Sequence, residues 1–324
     1  KPFWSFQNNS LLPQYDTTKW VWNSEMTLFN RKGFEIENKD PLGRYNSGLY
    51  GYNYTLPTAV VQNSRYQEAA FEGFEDYGMS GNNCDTICGS RRHIDFKPSF
   101  SQLTTTEKHS GKYSLQINSS EQVSLATNVL PSASEVQTEI TFARGANCSG
   151  NSSLKSIGAK SATLPDFALI NNSYVLISAW VKEGQDCKCE KYINNEIVVA
   201  ISGSDGSSQS RTFKAKGNII EGWQRYEDTI FIPQNAKSVS LTLKATGNST
   251  VYFDDIRIHP FNANMKSFVY HPVNLRLMAE LDENNYATFY EYDDDGTLIR
   301  VKKETERGIK TIKETRSALL KEVQ

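Results

Sequence analysis

Tyr292-Asp293-Asp294-Asp295-Gly296 decides how this chain is read. An aromatic residue leads into an acid suited to starting a turn, and the run closes on a glycine free to take positive φ. Leu281-Asp282-Glu283-Asn284-Asn285 and Tyr270-His271-Pro272-Val273-Asn274 place similar residues at the same offsets, so the units begin at 270, 281 and 292. Near the other end, Phe29-Asn30-Arg31-Lys32-Gly33 has the same form, and Lys39-Asp40-Pro41-Leu42-Gly43 and Tyr50-Gly51 continue it at spacings of ten and eleven. A fixed period with one turn per period predicts an array of β-hairpins. The two ends therefore read as one repeat system, with roughly 200 residues spliced between them.

Within the first segment, Trp20-Val21-Trp22 through Phe29, the alternating Gly33-Phe34-Glu35-Ile36-Glu37 and the run Arg44 to Tyr54 are strand candidates. Pro57 to Ala70, with Val60, Val61, Tyr66, Ala69 and Ala70, is the best short helix candidate. From Phe71 the vocabulary changes. Nine or ten short strand-like runs follow, from Ser114-Leu115-Gln116-Ile117 through Tyr174 to Val181 and Ile197 to Ile201, ending at Val251 to Ile258. Turn signals separate them, and no convincing helix intervenes, which predicts a β-sandwich. The expected organisation is residues 1–67 and 261–324 as hairpin segments flanking a sandwich at 68–260.

Composition agrees with an all-β chain. Aromatic residues make up 11% of 324 positions, alongside abundant Asn, Ser and Thr. A formal net charge of −2 implies no general affinity for nucleic acid or anionic membrane. No apolar run reaches the length needed to span a bilayer as a helix. The opening Lys1-Pro2-Phe3-Trp4 carries neither initiator Met nor signal peptide, and is read as the start of an ordered piece whose export signal lies elsewhere.

Five cysteines lie in polar, loop-like surroundings. In an exported protein they suggest disulfides, Cys84 with Cys88 and Cys148 with Cys187 or Cys189, leaving one thiol over. The alternatives are free thiols or a zinc site, though the C-x3-C and C-x-C spacings match no common zinc pattern. Seven N-x-S/T sequons, at Asn8, Asn53, Asn118, Asn147, Asn151, Asn171 and Asn248, reflect Asn/Ser-rich loops. The four histidines form no H-E-x-x-H, and neither a G-x-S-x-G elbow nor a phosphate-cradling Gly loop occurs. Counting carboxylates does not decide for or against a glycosidase pair. Asp293 to Gly296 resembles part of an EF-hand loop, but Lys302 occupies the place of the bidentate Glu. The basic residues after Gly296 follow an acidic stretch at 282–295, so a hairpin turning at Arg307-Gly308 can pair the two. Ile309, Ile312, Arg316 and Leu319 also fit a helical spacing, leaving the last 15 residues open between strand and helix.

Tyr292-Asp293-x-x-Gly296 with aromatic-rich flanks resembles the YD repeat of RHS-type surface proteins. More narrowly, residues 28–77 and 265–324, with the closing Lys303 to Ile309 and Lys313-Glu314-Thr315, are similar to the C-terminal region of giant YD-repeat proteins from bacteria using type IX secretion. That resemblance implies a secreted protein at the cell surface, associated with the outer membrane. A tail without the usual sorting motifs leaves its retention open and suggests docking on secretion or gliding-motility machinery.

A second resemblance covers about 68–260. Gly73-Phe74-Glu75, His109-Ser110-Gly111-x-x-Ser114-Leu115, Tyr174-x-x-x-Ser178-Ala179-Trp180-Val181, Gly222-Trp223 and Phe253-Asp254-Asp255-Ile256 follow the order of the galactose-binding-like jelly roll of carbohydrate-binding modules. The resemblance implies a non-catalytic glycan binder. It also implies a structural Ca2+ held by Glu75, Asp254 and Asp255, with backbone carbonyls near Ser110 to Lys112; solvation of the two aspartates, or pairing with Arg257, is the alternative. Trp180 and Trp223 take positions that usually pack inside. Tyr192, Phe213 and Tyr226 are the aromatic candidates for stacking on a sugar.

Overall fold

The computed structural model describes residues 4–5, 14–15, 18, 21–79, 92–131, 140–146, 152–159, 164–184 and 191–315. All five cysteines, and with them every expected disulfide, lie outside these residues, as does the chain beyond 315. The fold is all-β: a jelly-roll sandwich inserted into an antiparallel hairpin sheet.

A two-residue pair, β1 (Trp4–Ser5) and β2 (Gln14–Tyr15), precedes the sheet. Its first part is β3 (Glu25–Phe29), β4 (Glu35–Lys39), β5 (Tyr45–Gly51) and β6 (Leu56–Gln62). Its second is β21 (Asn264–Tyr270), β22 (Leu277–Leu281), β23 (Ala287–Tyr292), β24 (Leu298–Thr305) and β25 (Gly308–Glu314). Together they form one nine-stranded sheet in which β6 pairs directly with β21.

The turns explain why the period is so regular. Asn30, Asp40 and Asp282 each accept, through one side-chain oxygen, the amides two and four residues on, at 2.9–3.0 Å. Asp293 accepts the amide of Thr297 at 2.7 Å. In every case the residue three positions on has positive φ: Gly33, Gly43, Asn285 and Gly296. The side-chain bonds add to a backbone turn bond, from the amide three positions on to the carbonyl of Asn30, Asp40, Asp282 or Asp293 at 2.9–3.0 Å, and the left-handed residue closes the loop. Across the last hairpins Glu291 pairs with Arg300 and Lys302, and Arg300 with Glu314, as the charge pattern predicts. The final segment through Glu314 is strand.

The helix expected over Pro57 to Ala70 does not form. Residues 56–62 are β6, with Ala59 and Val61 facing inward against Ile36 and Met265, and only Tyr66–Glu68 makes a short 3-10 turn. Pairing on both sides of β6 satisfies backbone groups that an isolated short helix would leave open.

The insert comprises β7 (Ala70–Glu72), β8 (Leu103–Thr104), β9 (Ser114–Ile117), β10 (Gln122–Leu130), β11 (Ile140–Ala146), β12 (Ser152–Ala159), β13 (Ala168–Ile170), β14 (Ser173–Glu183), β15 (Asn195–Gly203), β16 (Ser208–Thr212), β17 (Ala215–Ile220), β18 (Trp223–Ile232), β19 (Ala236–Ala245) and β20 (Val251–Pro260). A five-stranded sheet, β13-β10-β19-β15-β16, faces a seven-stranded one built on β17-β18-β14-β20-β9-β8 with β7 also on β20. Strand alternation sends Val175, Ile177, Ala179 and Val181 of β14 toward Ile197, Val199, Leu241 and Leu243 opposite, forming the main core. The first and last insert strands touch: Ala70 pairs with Ile258 and Glu72 with Ile256.

Candidate functional site

Two features could carry function, a buried polar lock and a groove, and both lie where insert meets hairpin sheet. The lock starts from the Asp282–Tyr286 turn, which presses onto the outer face of the seven-stranded sheet. Its conformation buries Asn285, whose amide donates to Ser178 Oγ (3.3 Å) and to the Asp255 carbonyl (3.1 Å). The Asn285 carbonyl accepts from Trp180 Nε1 at 2.7 Å. Arg257, 1% exposed, donates to the carbonyls of Met265, Leu281 and Asp282. Burial pushes its pKa down to about 10, so the guanidinium is still charged at neutral pH.

Beside it His109 stacks on Trp180 with centroids 4.1 Å apart. Nδ1 meets Asp255 Oδ2 at 2.7 Å and Nε2 meets Glu304 Oε1 at 3.0 Å, so the ring joins the last insert strand to β24. Burial opposes charge on the ring, but Glu304 and Asp255 outweigh it and hold the pKa up at about 10. His109 is therefore an imidazolium at neutral pH, and both ring nitrogens donate. With both nitrogens committed it is not available as a general base.

The expected calcium ligands are in this lock, but as hydrogen-bond acceptors. Asp254 Oδ2 accepts the His109 and Ser110 amides, and Oδ1 accepts its neighbour's amide. Asp255 Oδ1 accepts Ser110 Oγ. Glu75 Oε1 accepts the amides of Lys112 and Tyr113, whereas Oε2 is buried without a partner. Ca2+ takes 6–8 oxygens, and of the six carboxylate oxygens in the trio five accept hydrogen bonds, leaving Glu75 Oε2. Among the described residues no three His, Cys, Asp or Glu side chains converge to hold a metal. As arranged, the trio does not fit a calcium cage. Both aspartates are fully buried, so they are not solvated either. Burial pushes Glu75 up to about 8, and burial together with Asp255 raises Asp254.

The other candidates fall differently. Trp180 and Trp223 are buried, as their positions predict. Tyr192, Phe213 and Tyr226 do not face a groove. They are 8%, 3% and 3% exposed, and Phe213 and Tyr226 belong to the sandwich core. Tyr226 shares the inward phase of β18 with Ile230 and Ile232, and Tyr192 spends its hydroxyl on the Gly222 carbonyl.

The exposed aromatics are elsewhere. Tyr174 and Phe231 are direct cross-strand partners on the outward phase of β14 and β18, with centroids 5.0 Å apart. They are 57% and 42% exposed. Tyr174 and Phe261, also 57% exposed, line a groove of about 560 Å³ between the insert and the first hairpins. The Phe261 amide donates to the Tyr174 carbonyl at 2.9 Å, which fixes the two rings' backbones to one another. The opposite wall carries Tyr45, under the Arg65 guanidinium at 4.3 Å, with Arg44 and Asn63. Flat apolar rings beside amides and guanidinia suit a ligand with apolar faces and hydroxylated edges. Strand alternation was the signal for Tyr174 and Phe231: each is flanked by residues of the core phase. Nothing local marks Phe261 as their neighbour.

No protein-family model matches the sequence, and no curated protein matches it. Among solved structures, a family 16 carbohydrate-binding module is similar, at TM-score 0.28 and 10% identity, over 48% of this chain and 82% of that one. So is the CBM22-1 xylan-binding domain of Paenibacillus barcinonensis Xyn10C, at TM-score 0.28 and 16% identity, over 52% and 80%. A third is TmCBM61, solved in complex with β-1,4-galactotriose, at TM-score 0.22 and 12% identity, over 47% and 74%. Likeness of this size bears on neither ligand nor site. The solved structures similar to this chain include carbohydrate-binding modules of several families.

Proposed function

We propose that this chain is a non-catalytic, glycan-binding portion of a secreted cell-surface protein of the YD-repeat type, in which the insert and the hairpin sheet together present the groove. The observation that carries the reading is the pair Tyr174 and Phe261, large apolar rings left in solvent along a polar groove, with Phe231 exposed beside Tyr174. Exposed aromatics of that kind are the residues from which binding hot spots are built. The test is a glycan array on the full chain, followed by Tyr174→Ala and Phe261→Ala. Loss of one stacking ring should weaken binding about tenfold, equivalent to about 1.4 kcal/mol. Undiminished binding by both folded variants would remove the groove from the reading.

A second reading, docking on type IX secretion or gliding-motility machinery at the outer membrane, draws on the open edge of the sheet. Val21 is 95% exposed, and Trp22, Met26 and Phe29, at 48–58%, lie on or near β3, whose outer side is unpaired among the described residues. Such an apolar edge suits a protein partner. Site-specific crosslinking from position 22 in cells, with and without Phe29→Lys, separates this reading from glycan adhesion.

A further inference from the structure

A cavity lies between the two sheets of the jelly roll. Leu125 of β10 stands opposite Leu241 of β19, and Thr127 opposite Val239. On the other sheet Ile177 of β14 pairs with Ile258 of β20. These side chains, with Phe167 and Leu169, line a space of about 210 Å³.

The strands explain why the core is open here. Along the inward phase of β10, Val123 is buried, but Leu125, Thr127 and Val129 are only half-buried. The strand that covers β10 on its outer side, β13, has three residues against nine. A ring completes the wall: Phe167 stacks on His93, with centroids 5.7 Å apart and 20° between planes. His93 is itself held, since Nδ1 meets the Ala69 carbonyl at 2.5 Å and Tyr66 packs edge-on against the ring. Asp95 and Ala126 line the cavity and are exposed, so it reaches the surface beside them.

The lining selects the ligand. Ile177, Val239, Leu241 and Ile258 are 2–5% exposed and carry no hydrogen-bonding side chain. Thr127 Oγ1 is committed to the Phe167 carbonyl at 2.8 Å. Among the described residues, only His93 and Asp95 add further polar side chains to the lining. Water needs two to four polar partners and gains little in such surroundings. Volume left unfilled forfeits packing contacts on every wall. A cavity of about 150 Å³ lined by Leu, Ile and Phe takes up benzene, and the larger space here has room for a second fused ring.

We infer that this cavity is a binding site for a small neutral aromatic molecule of one or two fused rings. That chemistry differs from the glycan proposed for the junction groove, although Leu169 lines both spaces.

The experiment titrates indole and p-cresol into the full chain, with glycerol as the polar control, and reads binding by calorimetry and thermal melting. Leu125→Phe and Val239→Ile each add volume inside the cavity. Tyr174→Ala/Phe261→Ala removes groove rings on which indole can also stack. Indole should raise the melting temperature of wild type and of the groove variant by several degrees, and glycerol should not. Affinity for indole should fall about tenfold in Leu125→Phe and by less in Val239→Ile, the smaller change, which carries the test where Leu125→Phe does not fold. Indole binding that disappears with the groove rings, or that neither filled variant weakens, would overturn the cavity site. So would a wild type that responds to neither indole nor p-cresol.

Discussion

Replacing His109 with Gln tests whether the insert is pinned to the hairpin sheet by charge. The imidazolium sits between Asp255 and Glu304, with both carboxylates buried and the ring 2% exposed. Removing it strands two acids in a low-dielectric site, a change that ordinarily costs 3–5 kcal/mol. A pKa held at about 10, against an ordinary 6.5, corresponds to about 5 kcal/mol favouring the charged form. Because the folded pKa is raised, that stabilisation is complete below pH 6.5 and disappears as pH climbs through 10. Urea denaturation of wild type and His109→Gln at pH 6, 8 and 10 should show a gap of several kcal/mol that narrows with pH. Glu304→Gln should cost less on top of His109→Gln than alone, because the pair is one interaction. Lys216→Gln, which breaks a surface pair with Glu227 where Lys216 is 53% exposed, provides the control at under about 1 kcal/mol. A His109→Gln loss no larger than the control, or one that is constant with pH, would refute the charged pin.

Glycine replacements separate backbone strain from collision. At Gly33 φ is +82° and a Cβ meets nothing within 4 Å, so Ala should cost only about 1 kcal/mol. At Gly111 φ is +62° and a Cβ would collide with the Glu75 carboxylate and lie 2.8 Å from Val269 Cγ1, so Ala should cost several times more in thermal melting. Glu75 is pushed up to about 8 by burial, so the stability of its protonated form is full below pH 4.5 and erodes as pH rises through 8. Glu75→Gln, which cannot ionise, should therefore exceed wild type by up to about 5 kcal/mol at pH 9 and show no gain at pH 4.5; equal curves would contradict this. Adding EDTA, or calcium after it, should leave the melting temperature unchanged, since protein donors hold five of the six carboxylate oxygens of Glu75, Asp254 and Asp255. A rise of several degrees with calcium would show the cluster rearranging around the ion.

The turns were legible because they are local. Asn30, Asp40, Asp282 and Asp293 bond their own loops, so spacing alone exposes them. Strand existence was legible for the same reason, with Pro57 to Ala70 as the exception. Val60, Val61, Tyr66 and Ala69 fit a helical stripe as well as a strand, and only β5 and β21 on either side decide between them. The lock was not legible. His109 and Glu304 stand 195 positions apart, and the motif containing His109 gives no sign that a repeat turn will cover it. The aromatics were misassigned for a subtler reason. Tyr226 and Phe231 are five apart on one strand, hence on opposite faces, and the choice between them rests on which face carries Ile230 and Ile232.

The pairing of β6 with β21 also sets an order in time. A ribosome delivers β3 to β6 first, leaving β6 with an open edge. Its partner does not exist until Asn264 has been made, long after Gln62. Closing that gap as free chain would carry a loop-entropy cost and leave an unpaired strand exposed. The folded insert offsets both, since Ala70 against Ile258 brings its two ends together beside β6 and β21. In the folded chain the jelly roll thus acts as a splint: it holds the second half of the hairpin sheet against the edge of β6.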